Sequence, residues 1–285
     1  MVIDLRQCAT FGVAGNFTGH LEQAGEAADF KAVKTAEAKA PKALFPTYIP
    51  HASAGVPQYL GIFPFDEQKI IFPRGEQKLQ IEPECAMICA LKWEGSELRE
   101  LKPLVFGASN DCSIRKQGAK KISEKKNWGP SSKGFAPVRL PIDHFSKGGI
   151  MDRYRIASFL IRDGVVHAYG EDSGVRDYNY FYEKLLSWVV DRFNHQQNEG
   201  PAEQIGAYMT SSGRPELALI SIGATRYTDY GEHNFLQDGD QAVVVLYPED
   251  RYSKEEIVRR AGEGSLEASD LSVLSQKMVL AYSRR

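Results

Sequence analysis

Two carboxylates, Glu82 and Glu84, flank Pro83 at the mouth of an apolar run that ends at Trp93, and this arrangement constrains the chain more than any other. From Cys85 to Leu91 the run reads Cys-Ala-Met-Ile-Cys-Ala-Leu. It is apolar at both parities, the pattern of a strand covered on both faces. Side chains two apart on a strand share a side, so the two carboxylates point together. Ionised carboxylates at the end of a buried strand are costly unless something compensates them. Basic side chains can do so, and a hard divalent cation does it better. A third carboxylate, Asp111, closes the segment Phe106-Gly-Ala-Ser-Asn-Asp some twenty residues on. Three acidic oxygens from two neighbouring strands predict a Mg²⁺, Mn²⁺ or Ca²⁺ site at Glu82, Glu84 and Asp111. The bland alternative is strand-edge carboxylates paired to surface lysines.

At 285 residues the chain has room for one large domain or a core with a small subdomain. Its 42% hydrophobic and 25% charged content is ordinary for a soluble globular protein. A formal charge of −2 gives no electrostatic reason to expect nucleic acid or an anionic membrane as partner. No apolar window approaches the roughly 20 residues of a membrane span, and the start, Met-Val-Ile-Asp-Leu-Arg, lacks a secretory layout. Cys8, Cys85, Cys89 and Cys112 read as reduced core residues of a cytoplasmic protein, without a zinc spacing.

Along the chain, Gly12 to His20 reads as a glycine-punctuated loop. Leu21 to Ala40 follows as a surface patch of helical propensity with a thin apolar face. Short β-rich runs are expected at Tyr59–Phe63, Lys69–Phe72, Leu79–Trp93 and Leu101–Val105. Asp163-Gly164 between two apolar runs signals a tight hairpin. Tyr178, Phe181, Leu185, Val189 and Phe193 mark an amphipathic helix. Further strands fall at Leu217–Gly223 and Gln241–Tyr247. The tail carries a Ser253-x-x-Glu256 capping box and a second helical pattern from Leu271 to Tyr282. The lysines 116, 120, 121, 125 and 126 form a charge run that reads as an exposed loop. His51, His144, His167, His195 and His233 have no metal spacing and read as structural. Strands dominate without regular alternation with helices, which argues against a doubly wound fold.

Taken in order, these pieces resemble the fumarylacetoacetate hydrolase superfamily. Gly15-Asn16-Phe17-Thr18-Gly19-His20 is similar to its "GRNYxxH" segment, and Glu82-x-Glu84 to its metal-binding "ExE". Asn110-Asp111-Cys112-Ser113-Ile114-Arg115 is similar to "NDxSxR", Lys133-Gly134-Phe135-Ala136-Pro137 to a shortened "KSFDxFAP", and Gly223-Ala224-Thr225 to "TGTP". The resemblance spans roughly residues 10–248, and its strength is collinearity, since each motif alone is short. It implies a β-rich α+β fold, a mixed β-sandwich roll with short flanking helices. Residues 1–50 would form an N-terminal segment with a lid loop and 51–250 the catalytic core; the tail, 251–285, has no counterpart in the family and is expected, from its own pattern, to be helical and packed on the core.

The resemblance further implies that Glu82, Glu84 and Asp111 hold the cation, Mg²⁺ first, with Mn²⁺ or Ca²⁺ as alternatives. His20, on the lid, would act as general base, with Lys133 stabilising negative charge and Glu22 as the candidate partner of His20. Asn16, Arg115, Gly223 and Thr225 would face substrate. The implied reaction is metal-dependent hydrolysis of a C–C bond in a small diketo acid of the fumarylacetoacetate or acylpyruvate kind, by a cytoplasmic homodimer. The alternatives are a 2-keto acid decarboxylase, isomerase or hydratase on the same site, and a catalytically silent binding protein. Some positions depart from the family pattern. Gln23 stands where family members with a lid His–Glu pair carry Glu. Lys116 replaces an acid, and Ala224 removes a hydroxyl.

Overall fold

The computed structural model describes residues 3–30, 33, 35–116 and 118–281. Its strands are β1 (Ala9–Ala14), β2 (Ala43–Tyr48), β3 (Lys69–Phe72), β4 (Leu79–Gln80), β5 (Pro83–Glu94), β6 (Glu97–Asn110), β7 (Ser113–Ile114), β8 (Gly134–Phe135), β9 (Leu140–Pro141), β10 (Tyr154–Arg162), β11 (Val165–Gly174), β12 (Leu217–Ala224), β13 (Gln241–Pro248) and β14 (Ser272–Leu280). The helices are α1 (His20–Gln23), α2 (Tyr182–His195), α3 (Ile205–Ser211), α4 (Asp229–His233) and α5 (Lys254–Glu263).

Two mixed sheets carry the fold. One runs β2-β1-β12-β5-β6-β8, with β9 also on β6; the other runs β11-β10-β13-β14-β3. Only β1–β12 and β14–β3 pair in parallel within them. The largest apolar cluster joins Cys85, Met87 and Phe106 of the first sheet to Tyr154, Ile156, Val244 and Leu274 of the second. Phe106 and Tyr154 meet edge to face at 5.0 Å. The opposite faces are covered too. Ala86, Ile88 and Leu219 pack under Ile3, Leu5 and Cys8, and Phe159, Val243, Val245 and Tyr247 pack under Ile257 and Ala261 of α5. The both-parity apolar runs of β5 and β13 follow from this double coverage.

The hairpin between β10 and β11 turns at Asp163 and Gly164, at φ 52° and 78°, and α2 buries Leu185, Val189 and Phe193 as its periodicity predicts. Ser253 caps α5 by accepting from Glu256 N–H. Elsewhere the structure corrects the sequence reading. Tyr59–Phe63 opens as a 3₁₀ turn, Gln58–Gly61. Among the described residues of the patch read as a surface helix, only His20–Gln23 and Ala27–Phe30 are helical, and Leu21, Glu26 and Phe30 are buried. The region from Leu271 is a strand, β14, inside the second sheet, and Tyr282 lies outside the described residues. The stretch beginning at Gly12 is the end of strand β1, deep in the first sheet. No helix among the described residues is long and apolar enough to cross a membrane.

Candidate metal and catalytic site

The register of the first sheet assembles the carboxylates. Pro83 stands opposite Asn110 and Glu84 opposite Ser109 across β5–β6, so Glu82 and Asp111 face each other just beyond the ladder, where Asp111 N–H donates to Glu82 C=O at 3.1 Å. On the other side an irregularity in β12 brings Ala224 opposite Glu84. It lets Gly223, at φ 120°, aim its N–H at Glu84 Oε2, 2.8 Å away. Glu82, Glu84 and Asp111 are all buried, and one oxygen from each lies within 4.8 Å of the others. The spacing predicted from the sequence is therefore present.

Three buried cations surround this acid cluster. Lys126 Nζ lies 2.5 Å from Glu82 Oε2 and 2.7 Å from Asp111 Oδ2. Arg115 reaches Glu82 Oε1 at 2.7 Å, and Lys133 reaches Asp111 Oδ1 at 3.0 Å. No lysine or arginine among the described residues pairs with Glu84. The electrostatics follow. Burial raises the Glu82 carboxyl, but Lys126 and Arg115 outweigh it and hold the group well below the usual carboxylate range. Burial and the Asp111 and Glu82 charges push Glu84 well above that range. Burial depresses Lys133, with Asp111 opposing.

A hard divalent ion fits this donor set. All three ligands are carboxylates, the span suits metal–oxygen distances of about 2.0–2.6 Å, and two oxygens have unused lone pairs. Glu82 Oε1 and Asp111 Oδ2 are buried and accept no directed hydrogen bond. Arg115 and Lys126 come within ion-pair distance of them, but off the hydrogen-bonding direction. Proximity neutralises their charge without using their acceptor capacity.

His20 lines the same cavity, with Glu82, Glu84 and Lys126; it measures about 20 Å³, room for about one water. Gly19, at φ 87°, opens the short helix that carries His20. The ring's Nδ1 lies 2.8 Å from Thr225 C=O. A carbonyl can only accept, so Nδ1 carries the hydrogen and Nε2 the free lone pair. Burial lowers the His20 pKa, with Glu82 opposing, which leaves a neutral imidazole near pH 7.

The remaining residues singled out from sequence fall into place around this centre. Glu22 is exposed; the Thr225 carbonyl, not a carboxylate, orients His20. Asn16 is fully buried and spends its amide on backbone, donating to Tyr180 C=O and Ile222 C=O and accepting from Tyr180 N–H. Arg115 donates to Glu26, Gln80 and the Tyr227 hydroxyl, which places its charge 2.7 Å from Glu82 Oε1. Thr225 contributes its carbonyl to His20, and its N–H donates to Pro83 C=O. Lys133 is buried beside Asp111 and also donates to the Cys112 carbonyl.

Lys126, read from sequence as part of an exposed charge run, is 2% exposed and central. Lys125 is buried as well, on Glu26. The sequence signal for Lys126 was slight: Ile122, the apolar residue one turn earlier, lines the same cavity. Gln23, noted from sequence only as standing where a lid Glu is expected, has a structural role of its own. Its amide accepts from Tyr227 N–H at 2.9 Å and donates to Tyr227 C=O and Glu232 Oε2, each at 3.1 Å, pinning α1 over the cavity. Cys8, Cys85, Cys89 and Cys112 are free and buried.

Mixed curled sheets with a buried acid triad at the shared end of strands β12, β5 and β6 define a fumarylacetoacetate-hydrolase-type fold, and comparison with solved structures agrees. The chain is similar to a 2-keto-3-deoxy-D-arabinonate dehydratase complexed with magnesium and 2,5-dioxopentanoate (TM-score 0.55, 14% identity, covering 96% of this chain and 74% of that one). It is also similar to a 5-carboxymethyl-2-hydroxymuconate delta-isomerase from Mycobacterium smegmatis (0.52, 12%, 96% and 80%). A Yersinia pestis CO92 protein described as fumarylacetoacetate hydrolase family matches as well (0.50, 13%, 95% and 93%). At these identities the likeness is one of fold. By sequence the chain belongs to DUF5718, a family of unknown function, whose model matches residues 26–278. Among curated proteins no sequence match is found.

Proposed function

We propose that this protein is a divalent-metal-dependent hydrolase that cleaves a C–C bond in a small diketo acid of the fumarylacetoacetate or acylpyruvate kind. The observation that carries the reading is the convergence of three buried carboxylates, Glu82, Glu84 and Asp111, two of which, Glu82 and Glu84, line a cavity that His20 also lines. Glu82, Glu84 and Asp111 would hold the ion, Mg²⁺ first, which supplies Lewis-acid polarisation of carbonyl oxygens when bound. Thr225 fixes the His20 tautomer, so Nε2 takes a proton from a water whose oxygen attacks a carbonyl carbon. The bond from that carbon to its neighbour breaks, and the departing carbon takes up a proton. Arg115 and Lys133 keep Glu82 and Asp111 ionised and in place. The cavity admits no organic acid while Gln23 pins α1, so α1 and its flanks act as a lid that opens for substrate and closes to exclude water. A larger cavity of about 250 Å³, lined by Glu26, Asp29 and Arg115 among others, gives a small acid room beside it.

A second reading keeps the site and changes the reaction to dehydration, isomerisation or decarboxylation of a 2-keto acid. It draws on the dehydratase and isomerase that share the fold. The protein would work as a cytoplasmic homodimer, with the four buried thiols in keeping with a reducing compartment. The test is turnover of an acylpyruvate, oxaloacetate and 2-keto-3-deoxy acid panel with Mg²⁺ or Mn²⁺, for wild type, His20→Ala and Glu84→Ala. Turnover of the diketo acids that both variants abolish is the expected result. Activity indifferent to Glu84→Ala removes the metal mechanism. Metal binding without any turnover identifies a silent binding protein instead.

A further inference from the structure

One feature of the acid cluster stands apart from the chemistry above. Lys126 Nζ already bridges two of the three carboxylates, 2.5 Å from Glu82 Oε2 and 2.7 Å from Asp111 Oδ2. Lys133 and Arg115 each touch one. The ammonium is built in rather than swept in from solvent. Its backbone N–H donates to Ser123 C=O. The next residue, Asn127, is anchored by its amide to Thr47 C=O and Ile62 C=O at 2.8 and 2.9 Å. Its head lies 5.1 Å from the centre of the Phe45 ring. The tether keeps the ammonium at the cluster, while its contact to Asp111 Oδ2 lacks hydrogen-bond direction. Such a contact is held by charge, and charge is what a divalent ion would replace.

We propose that Lys126 is a resident cation that competes with the divalent ion for Glu82 and Asp111, and so sets how tightly this site holds metal. The inference rests on the metal-binding reading above. It adds that the chain carries its own occupant for two of the three ligands, so metal loads only by shifting that ammonium aside. The structure separates this from a general effect of positive charge. Lys133 is equally buried at the same cluster, but it touches one ligand rather than two.

The experiment is Mn²⁺ titration of the full chain, followed by the paramagnetic resonance of the free ion, for wild type, Lys126→Met, Lys126→Gln and Lys133→Met. Removing the bridging ammonium is expected to tighten Mn²⁺ binding at least about tenfold, and removing Lys133 by less than about threefold. Lys126→Gln can still donate to Glu82, so it stands in should Lys126→Met fail to fold. Wild type binding Mn²⁺ as tightly as both Lys126 variants overturns the competition, and so does an equal gain from Lys133→Met; either result leaves the metal site intact. Binding by none of the four proteins overturns the competition and the metal reading together.

Discussion

Gln23 is the residue whose replacement most directly tests closure of the site. Its side chain makes three hydrogen bonds, two with the Tyr227 backbone in the β12–α4 connection and one to the Glu232 carboxylate on α4. Gln23→Ala removes all three while leaving His20 and the acid cluster untouched. A neutral hydrogen bond contributes about 1 kcal/mol net and one to a charged acceptor about 1.5–3. Gln23 is partly exposed, so water compensates much of the loss, and about 2 kcal/mol is the reasonable sum. If this latch holds α1 shut, that energy raises the open population roughly 30-fold. Amide hydrogen exchange reads it directly, because Gln23, Ala24 and Glu26 N–H groups bond to Gly19, His20 and Leu21 carbonyls in the closed segment. Those amides are expected to exchange roughly 30-fold faster in the variant, while amides of β5 and β12 keep their rates. Gln23→Glu, which places a carboxylate beside Glu232, is expected to open the segment at least as far. Unchanged exchange at Ala24 and Glu26, or acceleration shared equally with the core strands, would refute the latch. The segment would then be a fixed wall or a part of the global unfolding unit.

Three further expectations concern residues that support the site. Asn16→Ala strands the Tyr180 N–H and C=O and the Ile222 C=O in the interior, and is expected to cost about 3–5 kcal/mol in urea unfolding; a change below about 1 kcal/mol would return Asn16 to the substrate-facing role. Glu203 is buried, and desolvation pushes its carboxyl from 4.5 up to about 7. A raised carboxyl favours the folded state only while protonated, so stability from this group is fully present below pH 4.5 and falls as pH rises to about 7. Melts of Glu203→Gln against wild type are expected to show the variant gaining about 2–3 kcal/mol between about pH 5 and about pH 8, and parallel curves would contradict it. Gly223→Ala places a Cβ 3.1 Å from Asn16 Cβ at φ 120°. It is expected to cost about 1–3 kcal/mol in thermal unfolding and to weaken Mn²⁺ binding, since the Gly223 N–H positions Glu84.

What the sequence made legible was mostly local. The β10–β11 hairpin and α2 were readable because Asp-Gly and a 3.6 period are written in consecutive residues. The acid triad was readable because two strands with clear ends place three carboxylates at those ends. Other elements were hidden by their partners. In β14 the inward positions are Ser272, Leu274, Gln276 and Met278. Gln276 is buried because it accepts from the Asn110 amide and donates to the Asp66 and Lys133 carbonyls. A polar residue on the core face erased the alternation and left Leu271, Leu274 and Met278 at helical spacing. In β1, Gly12 read as loop punctuation, yet a Cβ there would land on the Phe45 ring from the neighbouring strand. The glycine serves a close approach that no residue nearby in sequence announces.

The same distinction explains why the carboxylates of the site could be found and its cations could not. A carboxylate at the end of an apolar strand is anomalous where it stands, because burial without a partner is so costly. A lysine among five lysines is anomalous only once the fold shows which one turns inward. The acids imply compensation but not its identity, and the geometry carries basic partners together with a donor set that a cation would fit. Lysines neutralise Glu82 and Asp111, and oxygens on those same side chains still have acceptor capacity to spare. Glu84 breaks the tie. It is buried beside two other acids, pairs with no lysine or arginine among the described residues, and is held by one backbone N–H. A cluster meant only to be neutralised gains nothing from a third acid that burial and its two neighbours keep from ionising. A cluster that takes a doubly charged ion needs it.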